Sequence, residues 1–377
     1  MAKIFARSLS FILIAGILLS QASCSAANNS AKEVKNCPVL HDDEFGGVYI
    51  QKTIDEFNAL GYKYGDTVDI KFSNGYELKD IPYYSGYYCP TGDPLLVAYP
   101  GYPYIKAAIN NGECLWEVSN MTDDATATIT VNSPGKDLDV QKARDIHYSD
   151  KREDYAGDVI FANFRTVEAG NMKSGKLYRS ASPCDNSHNR APYVDKLMED
   201  AGVNIIVNLA DTDLKIEGYV AKDDFDSPYV LSLYNDDKVI PLGMNTHYTS
   251  SENKEKLASG FLMIADNEGP YLVHCTEGKD RTGFICILLE ALCGATYEEI
   301  LNDYMITYDN YYKINESSDK ERYDLIVRMN LDDLIETFTG LSGDKIKTEV
   351  LEGYARDYIR SCGLTDTDID RIVSNLT

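Results

Sequence analysis

A short apolar run, a tight polar loop and a long apolar run follow one another between Tyr271 and Leu292, and no other stretch restricts the folding of this chain as much. The first run, Tyr271-Leu-Val-His274, is introduced by Gly269-Pro270 and reads as a buried strand. The last, Phe284 to Leu292, has no polar face and predicts a buried helix. Between them lies Cys275-Thr-Glu-Gly-Lys-Asp-Arg281, with Gly278 in the middle. A strand that turns through a short loop into a helix N-terminus makes an anion site. Backbone N–H groups curl inward and the helix dipole adds partial positive charge.

A phosphate held by Thr276, Glu277, Gly278, Lys279, Asp280 and Arg281 would sit over the Cys275 sulfur. Arg281 offers a planar fork that matches two phosphate oxygens. The same positive surroundings favour a sulfur anion as nucleophile. Thr282 can place a hydroxyl near that sulfur, and His274 can hold the loop through side-chain hydrogen bonds. This is the chemistry of phosphate-ester hydrolysis through a cysteinyl-phosphate, with no metal and no cofactor. The chain supplies its own control in Cys184-Asp-Asn-Ser-His-Asn-Arg190. The spacing is the same, but the apolar strand, the central glycine, the hydroxyl after the arginine and the apolar helix are missing, so that pair reads as coincidence.

Asp and Glu number 60 against 36 Lys and Arg, a net charge of −24. This disfavours nucleic acid or anionic membrane as the main partner. A phosphorylated protein or small molecule remains open as substrate, because one loop sets the local field. Lys3 and Arg7 flank an apolar stretch, Leu9 to Leu19, too short to span a bilayer comfortably. Residues 1–26 therefore read as a secretory signal, and the expected location is secreted or cell-surface in a bacterium. Cys24 adds a lipoprotein site as one alternative, the only expected tie to membrane; cleavage after Ala22 or Ala26 is the other.

After a polar tether, residues 37–135 are expected to form a small, mostly β domain. Asp66 to Phe72 and Ala125 to Val131 alternate apolar and polar residues, with turn residues between. Tyrosines crowd this part, including Tyr83, Tyr84, Tyr87, Tyr88 and Tyr102. They fit either a small-ligand surface or half-buried strand positions. Three cysteines, Cys37, Cys89 and Cys114, leave room for one disulfide. Residues 136–154 read as a linker or short connecting helix. Residues 155–377 alternate strands and helices, which predicts an α/β domain with a largely parallel sheet flanked by helices. Asn204 to Leu209 is a second buried strand, and Thr296-Tyr-Glu-Glu299 is a capping box.

At His274-Cys-Thr-Glu-Gly-Lys-Asp-Arg-Thr-Gly283 the chain resembles the bacterial cysteine-dependent phosphatases of the protein-tyrosine phosphatase superfamily. The likeness covers about residues 155 to 312 and includes Asn163-Phe-Arg165 and Leu177-Tyr-Arg-Ser180. It implies Cys275 as nucleophile, Arg281 as phosphate clamp and Thr282 as hydroxyl partner. Phosphotyrosine, and also phosphoinositide, are the implied substrates. One departure concerns the general acid that must protonate the leaving oxygen. The family often carries Asp-Leu-Arg after the earlier strand, where this chain has Asn208-Leu209-Ala210. The candidates are, in order, Asp280, Asp211 and Asp213, with a structural pairing of Asp280 to an arginine such as Arg179 as the competing reading. Two alternatives stay open. One is an inositol-polyphosphate phosphatase of the cysteine-phytase type, using Arg165, Arg179, Arg190 and Lys279. The other is a surface protein that binds phosphate without turnover.

Overall fold

The computed structural model describes residues 33–43 and 46–377. The expected leader, with Cys24, lies outside the described residues. The N-terminal part of the described chain is a closed barrel of seven strands: β1 (Glu33–His41), β2 (Val48–Ile50), β3 (Thr67–Phe72), β4 (Glu77–Tyr84), β5 (Pro94–Val97), β6 (Ile105–Ile109) and β7 (Thr126–Ser133). They run in the order β1-β2-β6-β5-β4-β3-β7, and β7 pairs back onto β1. Every pair is antiparallel except β4 with β5. Inward positions alternate as period two requires: Val68, Ile70 and Phe72 from β3 meet Ala127 and Ile129 from β7.

One boundary differs from expectation. β1 begins inside the stretch read as tether, because Val34 is buried and pairs with Ile129. A single apolar residue between charged neighbours carries no periodic signal, so only closure of the barrel reveals it. Cys37, Cys89 and Cys114 are all unpaired, so the disulfide that the sequence leaves room for is not formed. Tyr62, Tyr83 and Tyr84 are buried, with Phe57 stacked on Tyr62 at 3.9 Å between ring centroids.

The helix α1 (Leu138–Arg144) links the barrel to a five-stranded sheet of β8 (Arg165–Thr166), β9 (Leu177–Ser180), β10 (Ile205–Asn208), β11 (Val239–Pro241) and β12 (Tyr271–His274). The order is β11-β10-β12-β9-β8. β11, β10, β12 and β9 are mutually parallel, and β8 joins the edge antiparallel. The helices used below are α2 (Ala191–Asp200), α3 (Asp213–Val220), α4 (Ser251–Asp266), α5 (Asp280–Leu292), α6 (Tyr297–Tyr312), α7 (Lys320–Ile326), α8 (Glu352–Ser361) and α9 (Asp366–Leu376).

Helices cover both faces, which is why β10 and β12 are apolar at every position but their last. Val207 and Val273 face a core built around α5, whereas Ile206 and Leu272 face Val194 and Met198 of α2. From Thr282 to Leu292 α5 is buried without interruption. It is the central post of the larger core, and its first turn therefore has a fixed place. α6 starts at the expected capping box, with Thr296 and Glu299 bonding each other's backbone N–H.

Candidate active site

The C-terminal ends of β9, β10 and β12 lie side by side: Asn208 and Ser180 both flank His274 in register. The loop that leaves β12 is Cys275 to Lys279, and α5 follows at once. Open parallel sheets place ligands outside the carboxyl ends of their strands.

What shapes the loop is the fate of its carbonyls. The His274 ring bonds Cys275 O at 3.3 Å, Ser182 N–H bonds Thr276 O at 3.1 Å, the Tyr311 hydroxyl bonds Glu277 O at 2.9 Å, and Arg179 bonds Gly278 O at 3.0 Å. Successive carbonyls are thus drawn outward by donors from the surrounding fold. The backbone N–H groups of residues 276–281 donate to no group among the described residues. Unpartnered backbone donors gathered in a tight loop at a helix N-terminus suit an anion. Gly278 makes the turn possible. Its φ is +68°, and a Cβ there would lie 2.2 Å from Ser180 O.

Cys275 is 3% exposed, at the floor of a cavity of about 450 Å³. Arg281, from the first turn of α5, reaches back across the loop. Its guanidinium bonds Thr276 Oγ1 and Met244 O, each at 3.1 Å, and lines the same cavity. The cavity opens into a larger cleft of about 800 Å³, with which it shares Thr246, Glu277, Lys279 and Asp280. Thr282 is fully buried, and its hydroxyl has no hydrogen-bond partner among the described residues. His274 is buried as well, and burial pushes its pKa down to about 4, so the ring is neutral near pH 7.

The three candidate acids separate cleanly. Asp280 lines both cavities and its side chain is half exposed, 3.8 Å from Lys279 Nζ. Asp211 is buried, with its oxygens taken by Asn208 Nδ2 at 3.1 Å and the Tyr219 hydroxyl at 3.2 Å. Asp213 opens α3 and accepts from the Tyr234 hydroxyl at 2.8 Å. Neither lines the two cavities. The pairing of Asp280 with Arg179 does not occur, because Arg179 has another carboxylate. Glu277 also faces the cleft, but it is already engaged by Tyr148 and Lys279. Burial opposes its ionisation, yet those partners hold its carboxyl below the usual range.

The cations that sequence placed together are mostly elsewhere. Arg165 and Arg179 converge on Asp303 of α6 behind the loop, at 2.9 and 2.5 Å. Burial works against that carboxylate, and the two guanidinia outweigh it, holding its pKa well below the ordinary value. Glu290 of α5 lies beside the group; burial and Asp303 push its pKa well up, so it stays protonated. Arg190 is buried under the segment 148–155, bonded to Asp150 at 2.7 Å and stacked beneath Tyr148 and Tyr311. Lys279 does remain at the cleft, but its Nζ is shared among Tyr312, Glu277 and Asp280. Burial lowers its pKa less than those neighbours raise it, so it stays charged.

Sequence reasoning missed Asp303, Tyr148 and Tyr311. Asp303 and Thr307 share one face of α6 that is otherwise apolar and buried, a polar pair whose position could have drawn attention. Tyr148 stands in a stretch with no periodicity and had no signal.

Unpaired backbone donors, a guanidinium and a cysteine sulfur around one bowl define a class: proteins that seat an oxyanion against a thiol. The description of the tyrosine phosphatase family matches residues 160–377, more than half of the chain, and the chain belongs to that family. A Cupriavidus necator protein whose name proposes a tyrosine-protein phosphatase is 37% identical over 60 residues, 16% of this chain and 22% of that relative. The match thus spans under a quarter of the relative's length. The barrel lies outside the family match.

Proposed function

We propose that this protein is an exported phosphatase that hydrolyses phosphotyrosine through a cysteinyl-phosphate, without a metal. The observation that carries the reading is the set of engaged carbonyls, which leaves the N–H groups of 276–281 without partners among the described residues, in the loop that lines one cavity with Cys275 and Arg281. Substrate phosphate sits in that cup. The sulfur attacks phosphorus, the ester P–O bond breaks, and Asp280 gives its proton to the leaving oxygen. Asp280 then takes a proton from water, whose oxygen attacks phosphorus. The P–S bond breaks, the electron pair returns to sulfur, and phosphate leaves. Positive charge for the transition state comes from the loop and Arg281, which leaves no step for a metal.

The cleft wall supports an aromatic substrate: Tyr148, Tyr248, Tyr304, Tyr308 and Tyr312 line it, and a planar ring packs well against such surfaces. An inositol polyphosphate would call for several free cations, and Arg165, Arg179 and Arg190 are committed to Asp303 and Asp150. Binding without turnover is the weaker alternative, because Cys275, Asp280 and Arg281 face one cavity. Export rests on the leader sequence alone.

The test is turnover of an aryl phosphate in the presence of EDTA. Wild-type protein and Cys184→Ala should turn over equally, and Cys275→Ser should fall to background. Activity retained in Cys275→Ser, or a requirement for added divalent metal, overturns the mechanism.

A further inference from the structure

The larger cleft is not built by the family-matched region alone. Pro90 and Thr91 from the barrel, and Arg144 and Tyr148 from the connecting segment, line it together with Lys279 and Asp280. Arg144 is the exposed last residue of α1, and that helix is held from both sides. On the barrel side, Asp137 N–H bonds Gly65 O at 2.8 Å and Gln141 Nε2 bonds Ser85 Oγ at 2.7 Å. On the other side, Lys142 pairs with Glu321 of α7, Arg322 Nε bonds Lys142 O at 3.0 Å, and Arg328 pairs with Asp139 at 2.8 Å. Two independent clamps therefore fix where Arg144 stands.

The charges in the cleft are then decisive. Among the described residues that line it, Arg144 and Lys279 are the Lys and Arg side chains, and Lys279 is spent on Glu277, Asp280 and Tyr312. Among the described residues, Arg144 has no ion-pair partner and no side-chain hydrogen-bond partner. In a chain of net charge −24, an exposed guanidinium that pairs with none of the plentiful described carboxylates, Asp333 of the same lining included, is available to a ligand.

We propose that Arg144 is a specificity residue: it reads one acidic side chain near the phosphotyrosine of a peptide substrate. The inference rests on the reading of the bowl as a phosphotyrosine site and adds what selects among such substrates. One free cation suits one extra carboxylate. A phosphoinositide surface or a polyphosphate would bring many negative charges to a wall that also carries Asp280, Glu277 and Asp333. The same Asp333 repels an acidic group placed against it, so the preference is for one position, not for acidity in general.

The experiment walks a single Glu along both sides of the phosphotyrosine in a peptide panel, with an all-neutral peptide and an aryl phosphate as references. Wild-type kcat/KM should rise at one position, and Arg144→Ala should lose that gain, roughly two- to fivefold, the range an exposed charge pair supplies. The loss should sit in KM, with kcat and aryl-phosphate turnover unchanged. Arg144→Glu should invert the preference toward a Lys at the same position. Binding of the same peptides to Cys275→Ser reads the preference without turnover. A flat panel with intact aryl-phosphate turnover overturns this inference and leaves the phosphatase reading standing. An Arg144 dependence confined to vesicles carrying a phosphoinositide overturns the choice of a peptide. Absent aryl-phosphate turnover in the wild type strikes the phosphatase reading itself, and the binding panel still decides the role of Arg144.

Discussion

At the scale of single residues the site sorts groups by whether they are free. Asp280 owes its place in the proposed mechanism less to sequence than to elimination in space, since Asp211 and Asp213 are bonded elsewhere and Glu277 is locked in its ionised form. Asp280→Asn should lower kcat about 100-fold or more on phenyl phosphate, whose leaving oxygen needs a proton, and much less on p-nitrophenyl phosphate, whose leaving group does not. Equal losses on both would remove Asp280 from the proton transfer. His274 carries a pH signature. Its pKa falls from 6.5 to about 4 on burial, so the unfolded chain binds a proton that the folded chain refuses. Its contribution is whole above about pH 6.5 and is lost as pH falls toward 4, by about 1.4 kcal/mol per unit at most. Urea unfolding of wild type and His274→Asn at a series of pH values should show the slope in the first and a shallower one in the second.

At the scale of elements, the loop is held by what lies behind it. Asp303 on α6 binds Arg165 from β8 and Arg179 from β9, and Arg179 in turn holds Gly278 O. One carboxylate so joins a helix, two strands and the loop. Removing a partner from a buried ion triad leaves uncompensated charge, which costs about 3–5 kcal/mol. Asp303→Asn should therefore lower the Tm and also reduce kcat, because the loop carbonyl loses its anchor. A Tm equal to wild type would show that the triad is not what fixes the loop. Phe284 makes a second link at this scale. It stacks on Tyr248 at 4.0 Å between centroids and 15° between planes, and Tyr248 lines the cleft, so the core sets one wall of the site.

At the scale of the whole molecule, the barrel and the helix-covered sheet meet along α1 and the segment that follows it. Val140 packs on the barrel side and Ile146 against the core around α5. The Tyr148 hydroxyl then bonds Glu277 inside the loop, and Arg190 supports that tyrosine from below. The stretch that reads in sequence as a linker or short connecting helix, and that holds the helix α1, is therefore a wall of the cleft. The Arg144 experiment tests this arrangement directly, because the bowl and the selecting cation sit on segments that only the assembled molecule brings together.

The bowl was legible in sequence because its parts are contiguous: the strand, the loop and the apolar helix lie within Tyr271 to Leu292, and local chain geometry alone sets their order. The alternating segments of β3 and β7 and the capping box of α6 were legible for the same reason. The support was not. Asp303 stands 138 positions from Arg165 and 124 from Arg179, and no local pattern encodes a contact over such a separation. The start of β1 at Glu33, the enclosure of Lys279, and the place of Arg144 likewise depend on groups distant in the chain. Sequence by itself determined which residues could handle a phosphate. Tertiary structure decided which of them are free to do so, because a charged or polar group acts on a ligand only where the fold has not already satisfied it.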